Sequence, residues 1–217
     1  IGAMTSKRAA EDSALIKARQ PLFHAATRLI GHLPVRNRGT VGGSFAHADP
    51  AAEYPAVALA QDLQMKAQGP NGTRLIAAQD FFVTFMTTSL EASEVLTEVR
   101  LPAMKAGTGW SIQEFTRRAG DLALTGAVAT LRKVNGLCQD TRICAFGVSA
   151  TAMRFPAAEA LLNGKAPTAE NFARAASLAS ESVEEPIGDI HATPEYRRHL
   201  VKVFVGRCLA EEAGRAT

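Results

Sequence analysis

The stretch Thr40-Val41-Gly42-Gly43-Ser44, continuing as Phe45-Ala46-His47-Ala48-Asp49-Pro50-Ala51-Ala52-Glu53, decides the reading of this chain. Two adjacent glycines follow a cationic run, Arg36-Asn37-Arg38-Gly39. Glycine takes positive φ at little cost and lets backbone approach a ligand closely. Successive N–H groups in such a turn converge into an anion-binding nest. Asp49 before Pro50 has the pattern of an N-cap followed by proline at the first helical position. A glycine turn, fixed cations and a capped helix together describe a cradle for a pyrophosphate. The double glycine alone reads equally well as a structural turn, since glycine is common turn punctuation.

Upstream of this stretch, residues 6–19 read as one polar-faced helix and residues 21–31 as a second, with Leu22, Ala25, Ala26, Leu29 and Ile30 at helical spacing. Residues 31–44 read as loop. Downstream, residues 51–60 form a short apolar helix. Pro70-Asn71-Gly72 joins segments 63–67 and 73–77 as a hairpin. Residues 79–85 read as a helical turn, and Val95, Thr97, Val99 and Leu101 alternate as in a strand. After a linker at 102–109 come three long strands, 110–117, 123–133 and 137–149, with Asn135-Gly136 as the last hairpin turn. The remainder is helical: 156–162, 169–182 and 194–213, with Gly164 and Pro167 in the first gap. The fold class is α+β, with a first domain over 1–104 and a second over 109–213.

Composition narrows the function. The chain has 217 residues, 47% hydrophobic and 21% charged, as in ordinary soluble globular proteins. A net charge of +3, scattered and without interleaved aromatics, gives no footprint for nucleic acid. No apolar run reaches the length of a membrane span, and the N-terminus has no signal-peptide pattern. Cys138, Cys144 and Cys208 fit no disulfide, zinc or iron–sulfur spacing and read as buried thiols of a reducing, cytoplasmic protein. The five histidines show no metal spacing. Neither a Ser/His/Asp triad nor a paired-carboxylate site is visible. That silence suits a protein whose chemistry belongs to a cofactor.

The segment from Val35 to Glu53 resembles the FAD-binding medium subunit of the xanthine dehydrogenase and aerobic carbon monoxide dehydrogenase family, the molybdenum hydroxylases. Three further stretches match in order: Ile1-Gly2-Ala3-Met4-Thr5, Arg117-Arg118-Ala119-Gly120-Asp121-Leu122-Ala123, and Pro194-Glu195-Tyr196-Arg197-Arg198-His199-Leu200. The resemblance covers essentially the whole chain. It implies the C-terminal half of a PCMH-type, vanillyl-alcohol-oxidase-like FAD-binding domain, followed by a small antiparallel sheet with a helix bundle of the CO dehydrogenase flavoprotein C-terminal type. Relatives carry a further N-terminal subdomain with another glycine-rich loop. Its absence before Ile1 reads as truncation or as a variant that has lost half its flavin site.

By the same resemblance, Thr40, Val41, Gly42, Gly43 and Ser44 hold the FAD pyrophosphate through backbone N–H groups and hydroxyls. Glu53 accepts from a ribose or ribityl diol, and Asp49 shares that role or caps a helix. Leu96 is an apolar flavin contact. Gln113 stands where some relatives carry a lysine reaching the flavin, and Arg36 orients the glycine segment or neutralises phosphate charge. Arg117, Arg118 and Asp121 form a charged cluster or a solvated turn. The implied function is electron transfer. A molybdopterin-binding large subunit oxidises substrate, a small subunit with [2Fe–2S] clusters relays electrons, and FAD on this chain passes them to an external acceptor. A dimer of heterotrimers is implied. The alternatives are a fragment that binds no flavin and only bridges the other subunits, and a stand-alone flavin oxidase.

Overall fold

Two larger antiparallel sheets and one separate two-stranded hairpin organise residues 1–215, the part of the chain that the computed structural model describes. The chain opens with Ile1–Ala3 laid along an edge strand: Ile1 and Val99 exchange backbone hydrogen bonds of 2.8 Å, and Ala3 donates to Thr97. Four short helices follow, α1 (Lys7–Asp12), α2 (Ala14–Arg19), α3 (Pro21–Leu29) and α4 (Leu33–Arg38). The single helix expected over 6–19 is two. Ser13 ends α1 and accepts from the Ile16 N–H to start α2, because a serine hydroxyl caps a new helix more readily than it sits inside one.

The expected loop over 31–44 is also mostly helical. After α4 comes α5 (Val41–His47), with Gly42 and Gly43 in its first turn. Neither glycine has positive φ. A Cβ on Gly42 would lie 2.4 Å from the Ala3 Cβ and 2.8 Å from the Ala3 carbonyl oxygen. Glycine is required there so that α5 can rest on the opening strand.

Helix α6 (Glu53–Ala60) comes next. Asp49 does not cap it: the carboxylate accepts from the Ala51 N–H at 2.8 Å, closing a turn two residues earlier, and Ala52 takes the cap position. The first sheet has the order β2-β1-β5, from β1 (Gln64–Gly69), β2 (Gly72–Ala77) and β5 (Val95–Arg100). Between β2 and β5 lie one helical turn, α7 (Ala78–Phe81), and a small hairpin, β3 (Phe82–Thr84) with β4 (Thr87–Thr88). The helical turn expected over 79–85 therefore stops at Phe81. Met86 takes positive φ at the hairpin tip, where Val83 and Phe85 are exposed.

The second sheet runs β6 (Thr108–Phe115), β7 (Thr125–Val134), β8 (Leu137–Phe146) and β9 (Met153–Arg154) in chain order. Asn135 and Gly136 both have positive φ, as a type I′ hairpin requires. Both faces of this sheet are covered. Ala127, Ala129, Leu131 and Ile143 pack beneath α8 (Pro156–Leu162), α9 (Ala169–Glu181) and α10 (Pro194–Arg215). Val128, Cys144 and Phe146 belong to the core of the first half, with Trp110 and Ile112 packed against it. Double coverage explains why β7 is buried continuously from Thr125 to Leu131 instead of alternating. All three cysteines are buried and unpaired.

Helix α6 lies between the halves. Seven of its eight residues are buried, consistent with a sequence that has no polar face beyond its first residue. Tyr54 stacks between Phe23 (4.5 Å) and Phe45 (5.4 Å), and its hydroxyl meets the Thr27 hydroxyl at 2.9 Å.

On α10, Arg197 is 3% exposed. It donates to the Leu124 and Gly147 carbonyls and to Asp189, so one side chain ties together the start of β7, the end of β8 and the loop before α10. Replacing it with Met leaves the Gly147 carbonyl without a donor and takes from the Leu124 carbonyl one of its two, the Thr125 hydroxyl remaining. Arg197→Met should destabilise the fold by about 3 kcal/mol. Arg197→Lys should not restore it, since a single ammonium nitrogen lacks the planar fork whose two terminal nitrogens serve the carbonyls and Asp189 separately. Urea denaturation checks both.

Also on α10, Glu212 is fully buried with neither carboxylate oxygen partnered among the described residues, and burial pushes its pKa well up. The folded state keeps this proton to higher pH than the unfolded chain does. Stability therefore falls as pH rises above the ordinary glutamate value. Glu53 and Glu114, raised to about 7 and about 8, act with the same sign. Unfolding free energy should be lower at about pH 8 than at about pH 5, and Glu212→Gln should remove part of that fall. An undiminished fall in the variant would refute this role for Glu212.

Candidate functional site

The glycine segment presents a helix start whose donors are already in use. The Val41 N–H donates to the Thr5 carbonyl and the Gly42 N–H to the Ala3 carbonyl, both at 2.8 Å. The Gly43 N–H meets the Thr40 hydroxyl at 3.0 Å and the Ser44 N–H the Thr40 carbonyl at 3.2 Å. The expectation of a nest of free N–H groups is corrected: Thr40 is the N-cap of α5, and the opening strand takes the next two donors. Gly43 is exposed, so its surface stays bare on the side away from Ala3.

Beside this turn, at the junction of the two halves, lies a cleft of about 280 Å³ lined by Lys7, Ser44, Asp49, Glu53, Gly120 and Leu122 among others. Three of the sequence candidates, Ser44, Asp49 and Glu53, thus meet in one place. Gly120 brings the second half to it, with positive φ and so little room that a Cβ would lie 2.5 Å from the His32 ring. Glu53 is 4% exposed, and its pKa is pushed up to about 7, chiefly by burial and also by Asp49, against the pull of Lys7. Lys7 is 8% exposed, and burial lowers its pKa while Glu53 raises it.

Glu114 approaches from β6. Its carboxyl is raised to about 8, first by burial and then by Glu53, and one oxygen has no partner. Polar groups gathered at an otherwise apolar junction are the donor and acceptor set that a hydroxyl-rich, anionic ligand needs. A cleft of this volume suits the sugar- or ribityl-phosphate portion of a dinucleotide such as FAD, not the whole molecule.

The other candidates lie elsewhere or are otherwise engaged. Arg36 donates to Glu11 at 2.9 Å and to the Ile30 and Gly31 carbonyls. Its guanidinium braces α4 against α1 and the end of α3, so neutralising a phosphate is not its place; holding the segment before the glycines is. Gln113 is bound to Glu211 on α10 at 2.7 Å, which turns it toward the helices and away from the cleft. Leu96 is half-buried in β5 opposite Ala67 and packs on the first core. Arg117 reaches His191 at 3.3 Å and Asp121 at 3.9 Å on the surface.

Lys7 and Gly120, which line the cleft, and Glu114, whose carboxyl feels the charge of Glu53, were not singled out as candidates from the sequence. Lys7 looks like any cation on a solvated helix face. The signal for Gly120 was its place in the Arg117–Ala123 stretch.

Comparison with known proteins gives the family of both halves. Residues 1–104 match the FAD binding domain in molybdopterin dehydrogenase, and residues 110–212 match the CO dehydrogenase flavoprotein C-terminal domain. The carbon monoxide dehydrogenase medium chain of Hydrogenophaga pseudoflava is 37% identical over 209 residues, 96% of this chain and 72% of that protein. The nicotine 6-hydroxylase medium subunit of Paenarthrobacter nicotinovorans is 38% identical over 215 residues, 99% of this chain and 75% of that one. Carbon monoxide dehydrogenase from H. pseudoflava, solved without the Mo-pyranopterin moiety of its molybdenum cofactor, matches with a TM-score of 0.97 at 39% identity, over 100% of this chain and 75% of that one. Quinoline 2-oxidoreductase from Pseudomonas putida 86 matches with a TM-score of 0.94 at 35% identity, over the same shares. With both halves matched in order and the polar cleft at their junction, this chain belongs to the FAD-binding medium-chain family of the molybdopterin dehydrogenases.

Proposed function

We propose that this chain is the electron-transferring flavoprotein subunit of a molybdenum hydroxylase. The observation that carries the reading is the cleft at the junction of an FAD-binding half and a CO dehydrogenase flavoprotein C-terminal half, where Ser44, Glu53 and Lys7 converge. FAD, when bound, would supply the redox chemistry between [2Fe–2S] clusters of a small partner subunit and an external acceptor. The substrate is oxidised on a molybdopterin-binding large subunit, and the assembly is a dimer of heterotrimers in the cytoplasm.

The residues of this chain bind and orient. Ser44 donates a hydroxyl hydrogen at the mouth of the cleft, and the Thr40 hydroxyl, which accepts from Gly43, still has its own hydrogen to give. Gly43 lets a phosphate lie against bare backbone. Arg36 works at one remove, fixing α4 and through it the turn into α5. Leu122 and Val35 close the cleft with apolar surface, which limits water around the polar pair beneath.

Flavin content after purification tests the proposal. The full-length protein should retain flavin and copurify with a molybdopterin-containing and an iron–sulfur-containing subunit. Gly43→Val places a branched side chain on the bare face and presses its Cβ toward the capping Thr40 hydroxyl, which would lie 2.8 Å away. Flavin occupancy should fall at least about tenfold, as expected for losing one or two charge-assisted hydrogen bonds, while the circular dichroism spectrum stays that of the wild type. Full occupancy in the folded variant would take the glycine turn out of the site.

A further inference from the structure

Lys7 is 8% exposed as a residue, and among the described residues its ammonium has no hydrogen bond and no ion pair within 4.0 Å; it is not one of the fully enclosed unpartnered polar atoms, so the ammonium opens onto the cleft. It is not a loosely placed surface cation. The Lys7 N–H donates to the Gly39 carbonyl at 2.8 Å, which fixes the start of α1 against the segment before α5. The side chain passes close over Gly39, where a Cβ would sit 2.9 Å from Nζ and 3.4 Å from Cε. Gly39 has φ of −70°, so backbone conformation does not demand a glycine there. What the missing side chain provides is a channel for the lysine and clearance from the Val35 carbonyl oxygen, which would lie 3.0 Å from the same Cβ.

The channel leads to the cleft, which Lys7 lines together with Glu53, itself 4% exposed. Each group feels the charge of the other, but they do not touch. Two opposite charges that close, yet apart, in a buried cleft pay for desolvation without the contact that would offset it. Among the described residues, buried Arg197 is paired with Asp189, and half-buried Arg36 with Glu11.

We propose that Lys7 and Glu53 are the two ends of a bridge that a polyol phosphate completes, Lys7 donating to a phosphate oxygen and Glu53 accepting from adjacent hydroxyls. This rests on the reading of the cleft as a flavin nucleotide site and assigns to it a cationic residue on α1. The chemistry suits Lys7 because the helix-start N–H groups of α5 are engaged internally, which leaves the anion to a side chain. Either half of FAD presents phosphate next to hydroxyls, the ribityl phosphate on one side and the ribose phosphate on the other, and the test separates them.

Full-length protein stripped of nucleotide is titrated by calorimetry with FAD, with FMN and with ADP, for the wild type and for Lys7→Met, Lys7→Gln and Lys7→Arg. Lys7→Met and Lys7→Gln should each weaken FAD binding about 10- to 100-fold. The same loss should appear with FMN if the bridge holds the ribityl phosphate, or with ADP if it holds the ribose phosphate, and not with both. The salt dependence of FAD binding should be shallower in both neutral variants, and Lys7→Arg should recover part of the affinity; a purely structural lysine would produce neither effect. Thermal melting selects the folded variants, and two neutral replacements of different polarity guard against one misfolding. Wild-type affinity for all three ligands in either folded neutral variant would overturn the assignment of Lys7 and leave the flavin reading intact. A wild-type protein that binds no FAD would remove both.

Discussion

The structure depends on α6 having no solvent face. Helix α6 packs on α3 and on α5 of the first half and, on its other side, on β7 and β8 of the second. It is eight residues long, too short to be stable by itself. Its existence is a consequence of being enclosed by two hydrophobic layers, and the halves are joined because both need it. The same enclosure sets the site: the only acidic side chain of α6, Glu53, is at its first turn, where the two layers part and the cleft opens.

The second constraint is the contact between the opening strand and α5. Ile1–Ala3 completes an edge of the first sheet, and Ala3 and Thr5 carbonyls then take the first two N–H groups of α5. A sheet edge and a helix start, each with unsatisfied backbone groups, satisfy one another. Gly42 makes the approach possible. Gly43, one residue on, faces outward and has no such structural duty.

Most elements were legible because their determinants are local. Asn135-Gly136 specifies its turn by backbone preference, and Pro156, Thr168 and Pro194 mark helix starts that the structure keeps. The segment 31–44 was misread for the opposite reason. Glycine is a poor helix former, so Gly42-Gly43 suggested a loop, but what calls for glycine is Ala3, distant in sequence. Ser13 looked like an ordinary helix residue, though its hydroxyl starts a second helix. Asp49 next to Pro50 has the residues of a cap and forms a turn instead. Of the cleft's lining, Ser44, Asp49 and Glu53 were named through the family likeness, whereas Lys7 became visible only when its burial and its lack of an ion pair were seen together.

Comparing the buried cations separates stability from function. Arg197 directs both terminal nitrogens to protein acceptors, and Arg36 is engaged by Glu11 and two carbonyls. Those two side chains stabilise this fold whatever it binds. Lys7 has no such contacts, and neither do the nearby carboxyls meet it: Glu53 lies beyond ion-pair distance and Glu114 has an oxygen without a partner. Partly desolvating an ammonium and two carboxyls without joining them in ion pairs costs the folded state more than apolar residues of similar volume would. The two hydrophobic cores can tolerate that cost, since they are continuous on either side of α6. Lys7 and Glu53 line one cleft beside the glycine turn, with Glu114 close enough for Glu53 to raise its pKa, and that coincidence is what the proposed binding role rests on.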